Sequence, residues 1–208
     1  MTDIAAPKPD ANPAHAEIVA ATRHWLTRAV IGLNLCPFAK SVYVKDQVRY
    51  AVSEATDLEG VLTDLEAELK RLDAADPDTL DTTLLILPHA FADFLEFNDA
   101  SWFAERLLRQ LGLEGTLQIA TFHPQYQFSG TEPDDIENYT NRAPWPILHV
   151  LREASIARAA EAFPDAADIY ERNMETLRRL GLQGWREWMS AAGDVGEGER
   201  QPGTPAAE

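Results

Sequence analysis

Short runs with strand character alternate with longer runs of helical periodicity along this chain, and that alternation limits the folds open to it. Apolar residues recur at helical spacing in three segments, 14–31, 57–72 and 92–111. Strand patterns occupy three others, 47–54, 82–88 and 117–122. Because strands that alternate with helices usually form one layer and pair in parallel, the sequence predicts an α/β fold.

Beyond the third strand, the sequence predicts a long loop and then only helices. The loop is predicted over 123–142, and Pro146 is suited to the first position of a helix that Pro164 ends. A last helix is expected over 165–180, with a short piece at 185–189. We therefore expect a small, mostly parallel sheet of three strands, flanked by helices and followed by two or three C-terminal helices. The main alternative is a ferredoxin-like α+β arrangement.

A single domain is expected over residues 14–190, since no repeat and no linker interrupts that span. Segment 1–13 contains three prolines and few apolar residues, and segment 191–208 is rich in Gly, Pro and Glu. Such segments bury too little apolar surface to become ordered, so both are predicted to be flexible tails.

The charge balance and the cysteine count exclude several classes of protein. The chain carries 34 acidic against 18 basic residues, a net charge of −16. Nucleic acids and anionic membrane surfaces bind through clustered cations, so neither is expected as a partner. No apolar run reaches the roughly 18 residues of a membrane span. The single cysteine, Cys36, allows no internal disulfide, and no secretory signal is visible. We therefore expect a cytoplasmic protein.

The loop after the third strand carries the densest group of chemically active side chains. Long connections in compact domains are usually functional when they are ordered. His123 stands directly after a strand, where ligands of open α/β sheets gather, as does His89 after the second strand. Asp135 is a carboxylate for proton transfer or metal binding. The residues that would orient a polar or anionic substrate, or else satisfy the loop backbone, are Tyr126, Asn138, Tyr139, Asn141 and Arg142.

Three further polar residues follow on the predicted helix after Pro146. His149 is four residues before Glu153 and three before Arg152, so a helix would place all three on one face. That face is either solvated or turned toward the loop. In the second case His149 and Glu153 would serve as acid, base or metal ligand, and Arg152 as an anion clamp.

Cys36 permits two interpretations. Asn34 precedes it, Pro37 is able to begin a helical turn after it, and Lys40 is near in sequence. A helix N-terminus and a nearby cation lower the pKa of a thiol, which would make Cys36 a nucleophile or a thiolate ligand. The alternative is that Cys36 is a small buried apolar residue, as most free cysteines are.

Two segments of the chain resemble a known family. Residues 32–39 read GLNLCPFA, and the block 121–153 contains TFHP, GT, PDD, NYTNR, LH and LRE in that order. Both are similar to the signatures of the family called DUF1415, and the resemblance covers roughly residues 15–190. It implies a bacterial-type cytosolic protein. Because the family name denotes a domain of unknown function, the resemblance implies no activity and no catalytic residue.

Three functions remain open. The leading hypothesis is an enzyme of cysteine- or histidine-centred hydrolase, transferase or redox type, acting on a small polar or anionic substrate. Its catalytic candidates are Cys36, His123, Asp135, His149 and Glu153. Its substrate-binding candidates are Asn34, Tyr126, Asn138, Tyr139, Asn141, Arg142 and Arg152. The second hypothesis is binding of zinc or another divalent metal by Cys36, His123 and His149. The third is a non-catalytic module that docks a protein partner through its aromatic loop residues.

Overall fold

The computed structural model describes residues 13–162 and 168–190, so the predicted tails lie outside the described residues apart from Pro13. The helices are α1 (Pro13–Trp25), a π-helix (Leu26–Ile31), α2 (Ala39–Val44), α3 (Leu58–Ala74), α4 (Phe94–Gln110), a 3-10 helix (Ile136–Thr140), α5 (Glu153–Ala162) and α6 (Ile169–Ser190). The strands are β1 (Val48–Val52), β2 (Thr82–Ile86), β3 (Leu117–Phe122) and β4 (Ile147–Arg152).

The predicted alternation of helices and strands is confirmed as far as β3, apart from the short helix α2, which the sequence pattern does not predict. Asp57 and Asp93 are the N-caps of α3 and α4, and their carboxylates accept hydrogen bonds from backbone N–H groups of the first helical turn. The predicted separation of the last helix from a short terminal piece is also found. Gly181 interrupts α6 with a φ of 66°, a conformation that favours a residue without a Cβ.

The sheet differs from the predicted one in size and in strand direction. It has four strands in the order β1-β2-β4-β3. β1 and β2 pair in parallel, whereas β4 pairs antiparallel with β2 on one side and with β3 on the other. The prediction of three mostly parallel strands is therefore wrong. The ferredoxin-like alternative does not fit either, because its βαββαβ order has no helix where this chain places α4.

The missing strand is Ile147–Arg152, for which the sequence predicts a helix. This strand, β4, lies inside the sheet between β2 and β3, and strands buried on both faces are apolar almost throughout. Periodicity alone does not distinguish so short an apolar run from a segment of buried helix. The helix begins only at Glu153, where α5 starts. His149, Arg152 and Glu153 consequently share no helix face, and that prediction is wrong.

Alternation along the strands decides on which face of the sheet each side chain lies. His149 is paired with Leu84 on β2 and with Ala120 on β3, so these three lie on one face, here called the His149 face. α1, the π-helix and α6 contribute the apolar side chains that cover it. Arg152 is three residues further along β4 and therefore lies on the opposite face, which α3 and α4 cover.

The segment that leads to Cys36 departs from regular α-helical geometry. Leu26–Ile31 forms a π-helix, which is often found at functional sites. Gly32 follows it, and a Cβ there would lie 2.4 Å from the carbonyl oxygen of Arg28, so that glycine is required. Leu35 is then held by α6, because the side-chain amide of Asn173 donates to its carbonyl oxygen over 2.8 Å. Cys36 is thus fixed between two elements that pack on the His149 face.

Among the described residues, none of the helices combines the length and the apolar character needed to cross a membrane.

Candidate functional site

A cavity of about 480 Å³ lies on the His149 face of the sheet, and we call it the sheet cavity. Its floor consists of strand residues that include Leu84, Phe122 and His149. The π-helix, the Cys36 segment, α2 and α5 form its walls and roof. Most of the lining is apolar, with a few polar groups, and the volume is in the range of small-molecule sites. Cys36 and His149, which are distant in sequence, both line it.

His149 is held in one tautomer by its neighbour on β2. Its Nε2 lies 2.7 Å from Oγ1 of Thr82, and that hydroxyl donates to the carbonyl oxygen of Val150, also over 2.7 Å. Since the single hydroxyl proton is used on Val150, Nε2 carries a proton and donates it to Thr82. Nδ1 is then the unprotonated nitrogen, and the bond from Nε2 is the one hydrogen bond that the imidazole makes with the described residues. His149 therefore offers a hydrogen-bond acceptor to a molecule in the cavity.

The environment keeps His149 neutral. Burial lowers the pKa of its imidazole from the usual 6.5 to about 4, because the apolar surroundings disfavour the charged form. The ring faces Phe122, with 6.0 Å between ring centroids. At neutral pH the imidazole is uncharged and has a free lone pair on Nδ1.

The surroundings of Cys36 favour the protonated thiol. Burial raises the pKa of the thiol, and hydrogen bonds from the backbone of Phe38 and Ala39 lower it less than burial raises it. Helix α2 begins at Ala39 with Phe38 as its N-cap, so Pro37 does not begin a helix at Cys36. Lys40 is exposed and does not line the cavity. An activated thiolate at rest is therefore not what the surroundings of Cys36 favour.

One side of the cavity is polar and connected by hydrogen bonds, and we call it the mouth. It comprises Lys45, Gln47, Asp78, Asp81, Ser155 and Arg158. Oγ of Ser155 donates to Oδ1 of Asp81 over 2.5 Å and accepts from Nη2 of Arg158 over 3.0 Å. The Gln47 side-chain amide donates to the carbonyl oxygen of Asp78 over 2.7 Å. Lys45, Asp78 and Arg158 are exposed, whereas Asp81 and Gln47 are buried.

The predicted loop residues lie elsewhere, and His123 is the clearest case. It is completely buried on the face opposite His149, stacked on Phe97 with 5.2 Å between ring centroids. Nδ1 accepts from the backbone N–H of Gln125, and Nε2 donates to the carbonyl oxygen of Phe91. Burial lowers the pKa of His123, which agrees with a neutral ring. With both nitrogens occupied, His123 holds the start of the loop in place.

Asn138 organises the middle of the loop. Its Oδ1 accepts from the backbone N–H of Phe128 and from the hydroxyl of Thr131, and its Nδ2 donates to the carbonyl oxygen of Glu132. The side chain is completely buried, so each of these bonds replaces one that water would otherwise make. Asp135 also acts within the loop, since Oδ2 accepts from the backbone N–H of Glu132. Neither side chain lines the sheet cavity.

Arg142 holds the loop together rather than facing an open site. Its guanidinium donates to the carbonyl oxygens of Tyr126 and Pro133 and lies 4.4 Å from the ring centroid of Tyr139. The amide of Asn141 donates to the carbonyl oxygen of Thr121. Asn141, Arg142 and Tyr139 thus bind backbone or one another.

The loop aromatics make contacts within the chain. Tyr126 packs on Phe94 and Phe128, and Tyr139 packs on Trp185 of α6, each pair with 5.0–5.1 Å between ring centroids. The four aromatic loop residues on which the docking hypothesis rests are all partly buried, namely Tyr126, Phe128, Tyr139 and Trp145. These contacts fit the simpler interpretation, in which the aromatics pack the loop onto the sheet and α6.

Arg152 is a structural cation. It is buried, and its guanidinium donates to the carbonyl oxygens of Leu72 and Ala75 at the end of α3 and to that of Leu80. Cations are favourable at helix C-termini, where carbonyl groups lack partners. Glu153, the next residue, begins α5 and does not line the cavity.

Two other candidates are exposed and lie outside the cavity lining. Asn34 is exposed, with a φ of 55° in the turn after the π-helix. His89 is exposed as well, with Nε2 3.7 Å from a carboxylate oxygen of Glu54. Three of the twelve candidate residues line the sheet cavity, namely Cys36, His149 and, at the edge of the lining, Arg152.

The proposed metal ligands are not assembled. Cys36 and His149 line the sheet cavity, but His123 lies across the sheet with both ring nitrogens in use. Within residues 13–162 and 168–190, no group of three or more His, Cys, Asp or Glu side chains is arranged to hold a metal ion.

Sequence reasoning missed several residues of the cavity. In the sequence, Thr82 is only the first residue of an apolar strand. Its hydrogen bond with His149 depends on the pairing of β2 with β4, which the sequence does not predict. Asp81 and Ser155 meet for the same reason, because β4 carries Ser155 to the start of β2. One feature of the sequence could have indicated them: two polar residues, Asp81 and Thr82, stand at the amino end of a strand that is otherwise mostly apolar.

Comparison with known proteins places the chain in a family. The family model described as a protein of unknown function, DUF1415, matches residues 17–187, so the chain belongs to this family. Neither curated proteins nor solved structures yield a match. The two segments that carry the resemblance contribute differently to the site, because Cys36 from the first and His149 from the second line the sheet cavity.

Proposed function

We propose that this member of the DUF1415 family is an enzyme that binds a small molecule in the sheet cavity and acts on it through Cys36. The observation that carries the proposal is the convergence of Cys36 and His149 on one largely apolar cavity. A nucleophile and a base that line the same concave site are the usual elements of covalent catalysis. The cavity replaces the loop as the proposed site, because the loop side chains are occupied with loop contacts.

The chemistry that fits these groups begins from neutral partners. The Cys36 sulfur forms a bond to the electrophilic carbon of a substrate carbonyl, whose π electrons move to its oxygen. The S–H bond breaks, and its proton passes to Nδ1 of His149, the nitrogen left free by the bond from Nε2 to Thr82. Collapse of the oxyanion then breaks the bond to a leaving group, which takes the proton from Nδ1. Water, in a hydrolysis, or an acceptor nucleophile, in a group transfer, finally breaks the S–C bond and restores the thiol. Thr82 is a positioning residue, because it fixes the tautomer.

A second candidate is a binding protein without covalent chemistry. It is favoured by one observation, the neutral state of both Cys36 and His149, since burial raises the pKa of the thiol and lowers that of the imidazole. In that case the cavity would hold the same kind of molecule, and Cys36 would contribute only to its lining.

Exposure of the purified protein to the small-molecule fraction of a bacterial extract separates these functions. Mass spectrometry would measure which molecules disappear with the wild-type chain, with Cys36→Ser and with His149→Gln. His89→Gln is the matched control, because it alters an exposed histidine outside the cavity. We expect consumption by the wild type and by His89→Gln, and loss of consumption in both cavity variants.

Two results would contradict the enzymatic proposal. Consumption that continues unchanged in Cys36→Ser would remove Cys36 from the chemistry. Molecules retained by the wild type and by Cys36→Ser alike, with none consumed, would establish the binding protein instead.

A further inference from the structure

We infer that the ligand of the sheet cavity is an amphipathic anion, with a carboxylate at the mouth and an apolar body among the side chains of the π-helix and the sheet. This inference rests on the proposed function, since it names the substrate class of the same site. It derives from the separation of polar and apolar lining and from the sign of the charges at the mouth.

The two ends of the cavity differ in chemistry. At one end, Leu26 and Val30 of the π-helix face Trp25 and Phe122, and all four are buried or partly buried apolar side chains. The charged and amide groups gather at the mouth, where hydrogen bonds connect Asp81 to Ser155 and Ser155 to Arg158. A ligand that fills such a cavity without stranding a polar group needs an apolar body and a polar head.

The charges at the mouth favour a negative head. Lys45 and Arg158 make no ion pair with a described residue, and both are exposed. Arg152 does not add to them, because its guanidinium lies on the opposite face of the sheet and binds the carbonyl oxygens of Leu72 and Ala75. Against these two cations stand Asp78 and Asp81, so the formal charges of the mouth balance, on a chain whose net charge is −16. The preference for an anion therefore depends on which of these four groups is free to bind a ligand.

The arrangement of the two acids leaves the two cations as the groups available to a ligand. The Asp81 carboxylate is buried and already accepts a hydrogen bond from Ser155, so it is less able to receive a ligand cation. The long side chains of Lys45 and Arg158 keep their donors for a ligand, and Arg158 uses one N–H on Ser155. A carboxylate accepts from both guanidinium and ammonium groups. The remaining acid, Asp78, is exposed to water.

Three probes with one apolar body test the inference. Octanoate, octanol and octylamine differ only in the head group. Calorimetry would give each affinity, and protection of Cys36 from iodoacetamide would locate the binding, since Cys36 is the single cysteine. We expect octanoate to bind about tenfold more tightly than octanol, and octylamine to bind most weakly. Two cation contacts at a partly exposed site account for a difference of about that size.

Charge variants provide the second half of the test. The double variant Lys45→Gln/Arg158→Gln should weaken octanoate by about tenfold and leave octanol unchanged. Lys40→Gln/Arg186→Gln is the matched control, since it removes the same two charges at exposed positions that do not line the cavity. It should leave all three affinities unchanged.

The outcomes distinguish the inference from the function on which it rests. Equal protection of Cys36 by octanoate and octanol, or tighter binding of octylamine, would overturn the anionic head and leave the sheet cavity as the site. An octanoate affinity that falls equally in the two double variants would also overturn it, since the cause would be net charge. Absence of protection by any of the three probes would count against the sheet cavity itself.

Discussion

The burial of His149 in the cavity should be measurable as a pH-dependent change in the free energy of unfolding. Burial places the pKa of this imidazole at about 4 in the folded chain, against 6.5 when it is free in water. Each pKa unit corresponds to about 1.4 kcal/mol, so the shift of roughly 2.5 units corresponds to about 3 kcal/mol of unfolding free energy. For a domain of ordinary stability this is a large fraction of the total.

The direction of the effect follows from which state binds the proton first. Above pH 6.5 the imidazole is neutral in both states, and the full stability is present. As the pH falls from 6.5 to 4, the unfolded chain gains a proton that the folded chain does not accept, so stability decreases through this window. Below pH 4 both states are protonated, and His149 causes no further loss.

The assay compares the wild-type chain with His149→Gln in urea at pH values from 7.5 to 4, followed by tryptophan fluorescence. The difference between the two unfolding free energies isolates His149, because other groups titrate in both chains, including His123, whose pKa burial also lowers. We expect the difference to fall by about 3 kcal/mol between pH 7.5 and 4. A difference that is constant with pH would contradict the prediction, and so would an imidazole that titrates near 6.5 by NMR, since burial would then not lower the pKa of His149.

Three further predictions concern residues whose roles the structure reassigns. Arg152→Met should lower the unfolding free energy by about 3 kcal/mol in urea, because one buried and two partly buried carbonyl groups lose a charged donor. The control Arg178→Met, which removes an exposed ion pair with Glu137, should cost at most about 1 kcal/mol, and equal losses would contradict a structural role for Arg152. Asn138→Ala should cost about 2–4 kcal/mol and open the loop to proteolysis, so a variant as stable and as resistant as wild type would show that its hydrogen bonds are dispensable. Iodoacetamide should modify Cys36 more slowly in the native chain than in urea, with a pH midpoint higher than that of the thiol in urea, and rapid modification near pH 7 would mean that the thiol is activated.

Asp81, the buried acid at the mouth, is a site residue that no pattern in the sequence identifies. Asp81 is one of 34 acidic residues, and nothing adjacent to it in sequence marks it. It acquires a partner only because β4 delivers Ser155 to the amino end of β2. The same pairing brings His149 to Thr82. Strand pairing decides which side chains become neighbours, and it depends on the register of the strands. A sequence specifies that register only weakly when the strands are apolar on both faces.

Local patterns in the sequence predict the helices and strands up to β3, apart from the short helix α2, with boundaries close to the observed ones. Those elements carry local signals: apolar spacing along α3 and α4, caps at Asp57 and Asp93, and the alternation of β1. The sequence also selected the Cys36 segment and the 121–153 segment, which resemble the family that the chain belongs to. Local signals suffice here because helices and half-exposed strands are defined by contacts between near neighbours.

Tertiary contacts, and no local pattern, make Ile147–Arg152 a strand. They also determine which polar residues are in contact. The central position of β4 in the sheet buries both of its faces, which removes the alternation that would have identified it. As a strand, it sends His149 to the cavity and Arg152 to the end of α3, on opposite faces of the sheet. Residues separated by three positions thus acquired separate roles, and Cys36 and His149, far apart in sequence, came to share one cavity.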